Sequence, residues 1–195
     1  MNFLFERYNN KYAYIGIPKN ASTTLARSFF PANRCEEISF QLACDLSDRT
    51  FVVVLRDPAE RWKTGFVEDW TRQDPNYFRS DSLLDYWQVA NNQLHIGVHT
   101  STQIEYVNKA KRSFNAEKFK YFYLDENFTD TFEHWMLEND FCNFDFRLLK
   151  QKHNTADNKL LKAEAIQFVK ENWTTELEQK IKEFYKRDYN LLTNI

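Results

Sequence analysis

Thr50-Phe51-Val52-Val53-Val54-Leu55 is a short run of apolar and β-branched residues, and Arg56-Asp57-Pro58 follows it directly. A run without polar alternation is typical of a strand that is buried on both faces, as in a parallel sheet. Pro58 suits the first turn of a helix, and the pattern from Ala59 to about Trp70 is helical. The sequence therefore predicts a buried strand over residues 50–55 that leads at once into a helix.

The beginning of the chain repeats this order of elements. Tyr12-Ala13-Tyr14-Ile15-Gly16-Ile17 predicts a second buried strand, because it is short, aromatic and β-branched, and a proline follows it. Ser22-Thr23-Thr24 then offers capping hydroxyls to a short helical stretch, Leu25-Ala26-Arg27-Ser28-Phe29-Phe30, which Pro31 ends. The predicted unit is a strand, a tight loop and a helix.

The rest of the chain continues to alternate strands with helices. A third strand is predicted over Phe119-Lys120-Tyr121-Phe122-Tyr123-Leu124, and helices are predicted at about 81–92, 101–113, 129–139, 157–172 and 174–188. This order predicts an α/β fold with a central, mostly parallel sheet flanked by helices, and such sheets bind ligands beyond the carboxyl ends of their strands. No repeat, low-complexity tract or polar linker divides the chain, so a single domain over residues 1–195 is predicted.

Charge and cysteine content exclude some classes of partner. The formal net charge is −2 and the basic and acidic residues are intermixed, so no overall field attracts nucleic acid or an anionic membrane. No leader is recognised, and no stretch approaches the roughly 20 apolar residues of a membrane span. Three cysteines without metal or redox spacing predict reduced thiols and no metal site. We therefore expect a cytoplasmic protein that binds neither nucleic acid nor membrane.

The first candidate anion site is the loop Pro18-Lys19-Asn20-Ala21-Ser22-Thr23-Thr24. It lies between a predicted strand and a helix N-terminus, where free backbone N–H groups and the helix dipole favour a phosphate group. Lys19 adds a positive charge; the alternative is a solvated lysine beside an ordinary helix cap. A nucleotide kinase would be expected to carry G-x-x-x-x-G-K-[ST], but here the lysine comes early and the Gly-Lys pair is missing. This disfavours a kinase.

The second candidate anion site is Arg56-Asp57-Pro58-Ala59-Glu60-Arg61-Trp62-Lys63-Thr64, directly after the strongest predicted strand. Arg56 and Thr64, about two helical turns apart, can face one anion, and arginine offers a planar fork of donors. Asp57 is predicted to hold an arginine in place. The alternative is an exposed pair of arginines bridged to Asp57 and Glu60.

Together the two motifs resemble the sulfotransferases that use 3′-phosphoadenosine 5′-phosphosulfate (PAPS), specifically the family 2-like carbohydrate sulfotransferases. In that family the phosphosulfate loop resembles Pro-Lys-x-Ala-Ser-Thr, and the 3′-phosphate motif resembles Arg-Asp-Pro-x-x-Arg-x-x-Ser. Shorter similarities occur at His99-Thr100-Ser101-Thr102-Gln103, which is similar to a His-x-x-x-Gln element, at His153-Asn154-Thr155 and at Phe184-Tyr185-Lys186-Arg187-Asp188-Tyr189. The resemblance thus spans nearly the whole chain.

The resemblance implies a P-loop-like three-layer sandwich that transfers a sulfuryl group from PAPS to a hydroxyl or amine, releasing 3′,5′-adenosine diphosphate (PAP) without a metal. The acceptor would be a small molecule or a glycan. By resemblance, Lys19 holds the 5′-phosphate and the bridging oxygen, and Arg56 and Thr64 bind the 3′-phosphate. The rest of the phosphate cradle is Asn20, Ala21, Ser22, Thr23 and Thr24. Ala21 stands where many members of that family have glycine, and Thr64 stands where serine is usual in it. Membrane-anchored members carry a transmembrane segment that is not recognised here.

The reaction also needs a base that takes the acceptor proton. His99 is our first choice because it lies in the His-x-x-x-Gln element, with His95 behind it. Glu36 and Glu37 are the rival, because several sulfotransferases place a catalytic Glu or His on the strand after the first helix.

The aromatic residues Trp62, Trp70, Tyr86 and Trp87 have helical spacing and are predicted to be core. Two other functions stay open, namely a nucleotide kinase or other phosphate-loop enzyme and a non-catalytic nucleotide-binding protein.

Overall fold

The structure is a computed structural model that describes residues 11–22, 25, 45–139 and 159–193 and the backbone of residues 3–7 and 35–39. The chain divides into two compact units. The first, which we name the sheet unit, comprises Met1–Arg56, Gln103–His153 and Ile195. The second, the helical unit, comprises Asp57–Thr102 and Asn154–Asn194. A single domain over residues 1–195 stays a prediction.

Five strands and seven α-helices lie within the described residues. The strands are β1 (Phe3–Arg7), β2 (Tyr12–Ile15), β3 (Cys35–Ser39), β4 (Thr50–Leu55) and β5 (Lys118–Tyr123). The helices are α1 (Pro58–Arg72), α2 (Leu83–Gln93), α3 (Gln103–Phe114), α4 (Phe128–Glu138), α5 (Lys159–Asn172), α6 (Thr175–Phe184) and α7 (Lys186–Leu192). A 3-10 turn covers Val98–Thr100. Most predicted elements are confirmed within a few residues, whereas the stretch predicted to be helical at 25–30 lies outside the described residues except for Leu25.

The sheet is mixed, with strand order β3-β1-β2-β4-β5. β2, β4 and β5 run parallel, whereas β1 runs antiparallel to both β2 and β3. The α/β fold with parallel strands is therefore confirmed, and the one strand of opposite direction, β1, was not predicted. The direction of β1 follows from the few residues between Arg7 and Tyr12, because a parallel crossover needs a dozen or more residues.

In the sheet unit, β4 carries the core. All of its residues after Thr50 are fully buried, as the apolar run predicts. Side chains alternate between the two faces of a strand, so Phe51 and Val52 pack in opposite directions. Phe51 stacks on Phe114 of α3, with ring centroids 6.4 Å apart. Val52 belongs to a cluster with Phe132 of α4. Each face of the parallel strands is thus covered by a helix.

The helical unit is built around aromatic residues, as the sequence predicts. Its buried cluster includes Trp62, Phe66, Trp70, Tyr86 and Trp87. Their rings contact one another directly; for example, the centroids of Phe66 and Trp87 are 5.1 Å apart in an edge-on arrangement. Aromatic pairs of this geometry add to the stabilisation from burial of their surface. These aromatic residues are therefore core.

One predicted helix is divided in two. The stretch at about 174–188 forms α6 and α7, which are separated at Tyr185. The buried Tyr185 hydroxyl donates to the carbonyl oxygens of Leu94, at 3.0 Å, and of Thr100. These bonds fix Tyr185 to the segment before α3, and its backbone (φ −92°, ψ 19°) departs from the helix.

Among the described helices, none combines the length and the apolar character that a membrane span requires.

Candidate functional site

The loop after β2 has an unusual backbone. Lys19 and Ala21 are left-handed, with φ angles of 67° and 57°, whereas Asn20 between them does not have a positive φ. Alternation of this kind directs successive N–H groups toward one side and forms a concave anion site called a nest. A left-handed residue with a Cβ costs about 1–2 kcal/mol, which glycine avoids. Glycine at position 21 would therefore adopt this backbone conformation at lower cost than Ala21 does.

Two backbone donors of this loop are available to a ligand. The Asn20 N–H donates to the Ile17 carbonyl at 3.2 Å, and the Leu25 N–H closes the first helical turn on the Ala21 carbonyl at 2.9 Å. The N–H groups of Ala21 and Ser22 donate to no described residue. Such N–H groups at the start of a helical turn can bind a phosphate. Thr23 and Thr24, the other predicted members of the cradle, lie outside the described residues.

Arg56 lies beside this loop. β2 and β4 are parallel neighbours, with Ile15 opposite Val53, so the segments that follow them leave the same edge of the sheet. Arg56 Nη1 lies 3.4 Å from the carbonyl oxygen of Lys19. The structure therefore brings together the phosphate loop and the arginine that the sequence predicts for the two anion sites.

Two buried amide side chains connect the two segments. Asn20 Nδ2 donates to the Val54 carbonyl at 2.8 Å and to Gln103 Oε1 at 2.5 Å. Gln103 Oε1 also accepts from the Arg56 N–H at 3.0 Å, and Gln103 Nε2 donates to the Arg56 carbonyl at 2.8 Å. Gln103 entered the sequence analysis only as the end of the His-x-x-x-Gln element, and no local pattern indicates its contacts.

The remainder of the second motif belongs to the helical unit. Thr64 Oγ1 donates back to helix α1, at 2.9 Å from the Arg61 carbonyl and 3.2 Å from that of Glu60. That Thr64 shares an anion with Arg56 stays a prediction. Asp57 accepts from the Glu60 N–H at 2.9 Å as the N-cap of α1, and it forms no ion pair with an arginine among the described residues. Helix capping is thus a contact that the structure shows for Asp57, and its arginine-holding role stays a prediction.

Arg61 is buried, whereas the alternative interpretation of the motif predicts an exposed arginine. Its side chain is buried, and Nη1 donates to the Ser101 carbonyl at 2.5 Å. Glu60 pairs instead with Lys63, at 2.7 Å. A buried arginine needs hydrogen-bond partners because its charge has left water, so Arg61 serves the interior of the helical unit. The alternative of two exposed arginines is therefore wrong for Arg61.

His99 forms a dyad with Asp69 in the helical unit. Its Nδ1 lies 2.5 Å from Asp69 Oδ1, and Asp69 Oδ2 accepts from Thr100 Oγ1 at 3.3 Å. The side chains of His99 and Asp69 are only 12% and 8% exposed. The ring nitrogen that faces a carboxylate carries the proton, so in neutral imidazole the other nitrogen, Nε2, is the acceptor. Nε2 has no hydrogen-bond partner among the described residues.

Two glycines permit the close packing around this dyad. A Cβ on Gly97 would overlap the Asp69 carboxylate, and a Cβ on Gly65 would lie 2.5 Å from the His99 carbonyl oxygen. The Asp69 charge lies in an interior of low polarity, where burial raises the pKa of the Tyr86 hydroxyl and the Asp69 charge raises it further. The sequence analysis did not find Asp69, because its partner is 30 residues away.

For the rival bases Glu36 and Glu37, the structure describes the backbone. Glu36 and Glu37 are on β3, where they pair with Glu6 and Phe5 of β1. β1 separates β3 from β2, so their backbones are about 9–10 Å from β2 at the usual strand spacing. Through β1, Glu37 is level with Tyr14, one residue before the carboxyl end of β2, and Glu36 is level with Ala13. Their side chains lie outside what the structure describes, so their role as the rival base stays a prediction. His95 is exposed, and His153-Asn154-Thr155 lies outside the described residues.

Comparisons with protein-family models, with curated proteins and with solved structures found no match. Among the described side chains, no group of three or more His, Cys, Asp and Glu residues is placed to hold a metal ion. The candidate site is therefore defined by the geometry of its own residues, and its centre is the phosphate loop together with Arg56.

Proposed function

We propose that this protein is a PAPS-dependent sulfotransferase that passes a sulfuryl group to a hydroxyl or amine, possible acceptors including carbohydrates, and releases PAP. The observation that carries the proposal is the proximity of the phosphate loop and Arg56 at the carboxyl ends of neighbouring parallel strands, with Arg56 Nη1 3.4 Å from the Lys19 carbonyl. Ligands of α/β sheets bind at this edge. A helix on each face of the parallel strands also agrees with the proposed P-loop-like three-layer sandwich.

The proposed chemistry assigns a task to each part of the site. The acceptor oxygen or nitrogen attacks sulfur, a new bond to sulfur forms, and the bond between sulfur and the bridging phosphate oxygen breaks. Negative charge then develops on the 5′-phosphate, which the Lys19 ammonium group and the free N–H groups of Ala21 and Ser22 stabilise. Arg56 binds the 3′-phosphate through its fork of donors, with Thr64 as its proposed partner. In this scheme, groups of the protein stabilise the charge that develops on the leaving oxygen, and no metal ion is needed.

The acceptor must also lose a proton, and His99 is the proposed general base. Its bond to Asp69 supports this role, because it fixes the ring orientation and leaves Nε2 as the acceptor. Glu36 and Glu37 stay the rival proposal. A cytoplasmic location and an acceptor that is a small molecule or a glycan also belong to the proposal.

Nucleotide binding distinguishes the proposed function from its alternatives. PAP at about 100 times its Kd should raise the free energy of unfolding by about 2.7 kcal/mol, and Mg·ATP should not. Stabilisation by Mg·ATP alone would favour a phosphate-loop kinase, and no response to either nucleotide would contradict a nucleotide-binding function.

Arg56 provides the sharper test of where PAP binds. Arg56→Ala should weaken PAP binding by about 1.5–3 kcal/mol, the usual range for hydrogen bonds to charged groups. Isothermal titration calorimetry measures this loss, and Arg79→Ala, which removes an exposed arginine, is the matched control. Unchanged affinity in Arg56→Ala would remove Arg56 from the site.

A further inference from the structure

Gln103 makes a paired contact with the main chain of Arg56. Its Oε1 accepts from the Arg56 N–H at 3.0 Å, and its Nε2 donates to the Arg56 carbonyl at 2.8 Å. Arg56 is the first residue after β4, so Gln103 satisfies its backbone in the way that a neighbouring strand would. The side chain of Gln103 is fully buried. The N–H and the carbonyl of Arg56 are therefore both hydrogen-bonded to one amide group.

The same amide reaches the phosphate loop. Gln103 Oε1 also accepts from Asn20 Nδ2 at 2.5 Å, and Nδ2 makes its second bond to the Val54 carbonyl at 2.8 Å. Asn20 is fully buried and stands between the two left-handed residues of the loop. One oxygen atom therefore accepts from the residue after β4 and from the residue at the centre of the loop after β2.

These bonds are a firmer link between the two anion segments than their direct contact. The direct contact is the 3.4 Å approach of Arg56 Nη1 to the Lys19 carbonyl, which is long for a hydrogen bond. Buried amides must keep their hydrogen bonds, because an unpaired buried donor or acceptor is costly. Any change in the spacing of the two segments would break bonds of Gln103 or Asn20, so the network resists such a change.

We propose that Gln103 is a positioning residue, which holds Arg56 and the phosphate loop at the spacing that one nucleotide with two separate phosphate groups requires. This proposal rests on the proposed function. A nucleotide with only a 5′-phosphate needs the loop alone, whereas PAP must reach the loop and Arg56 together. Gln103 therefore contributes to the preference for PAP over adenosine 5′-monophosphate (AMP), although it contacts neither phosphate itself.

The preference is measured as the ratio of the Kd for AMP to the Kd for PAP, obtained by calorimetry for each variant. We expect this ratio to be about tenfold or more in the wild type, since one charged hydrogen bond contributes that much. Gln103→Met keeps the length of the side chain and removes its hydrogen bonds, and it should lower the ratio by about tenfold, as Arg56→Ala does. Gln167→Met is the control; Gln167 is exposed on α5 and bonds only Glu171 among the described residues, at 2.6 Å.

The ratio of the two Kd values distinguishes a positioning role of Gln103 from a general loss of stability, because partial unfolding weakens the binding of AMP and PAP equally. Gln103→Glu is the second variant in case Gln103→Met does not fold. It keeps an oxygen that accepts from the Arg56 N–H but cannot donate to the Arg56 carbonyl, so its ratio should fall between the wild type and Arg56→Ala. If Arg56→Ala loses the preference and the folded Gln103 variants keep it, the positioning role is overturned and the proposed function stands. If the wild type binds neither nucleotide, both proposals fall.

Discussion

His99→Ala is expected to lower turnover by about 10²–10⁴-fold, the usual contribution of positioned proton transfer, while PAP affinity and the fold are kept. Histidine is the side-chain type suited to accept a proton near neutral pH. The Asp69 carboxylate holds Nδ1, so that Nε2 is left to act on a substrate. The measurement is the steady-state rate at saturating PAPS and acceptor, together with a PAP titration of the same variant.

The controls for this prediction test the position of the base. His134→Ala removes a histidine that also has a carboxylate partner, Glu138 at 3.2 Å, but on an exposed face of α4, and it should leave turnover unchanged. Glu36→Gln and Glu37→Gln should be mild. If either glutamate variant is inactive while His99→Ala remains active, the base lies on β3 and the assignment of His99 is wrong.

Lys19→Ala is expected to lower turnover by about 10²–10³-fold, the cost of removing one donor to a developing oxyanion, and to lower PAP affinity by much less. The reason is that charge on the bridging oxygen develops mainly in the transition state. Both lysine and alanine carry a Cβ, so the energetic cost of the left-handed backbone at position 19 is similar in the wild type and in Lys19→Ala.

Turnover at saturating PAPS and the Kd for PAP must therefore be measured on the same preparation of Lys19→Ala. Lys118→Ala is the matched control, because Lys118 is exposed at the first residue of β5, at the amino end of the parallel strands. Equal losses in binding and turnover would reduce Lys19 to a binding residue.

The parallel strands β2 and β4 could be predicted because burial on both faces leaves a continuous apolar run. Thr50–Leu55 has the same bounds in the sequence prediction and in the structure. β1 was not predicted because Phe3–Arg7 includes Glu6 and Arg7 and is short, so it has no such run. Its strand character depends on pairing with β2 and β3, and the five residues of β1 alone do not indicate that pairing.

The candidate site divides in the same way. The proximity of the Lys19 loop to Arg56 could be predicted because the loop follows β2, Arg56 follows β4, and the carboxyl ends of parallel neighbours lie at one edge of the sheet. Gln103 and Asp69 could not, because each acts through a buried polar contact with a residue 47 or 30 positions away. Such contacts are set by packing and leave no periodic pattern. The burial of Arg61 has the same origin, since its partner Ser101 is 40 residues away.

The central claim is that this protein transfers a sulfuryl group from PAPS, and incubation with PAPS labelled at sulfur tests it most directly. The acceptor panel should include glycans, phenols, amines and small alcohols, with Arg56→Ala and Lys19→Ala measured beside the wild type. We predict that label passes to at least one acceptor, with one PAP released for each sulfuryl group transferred, and that both variants are slower. Binding of PAPS without transfer to any acceptor, or transfer that both variants retain at the wild-type rate, would contradict the account.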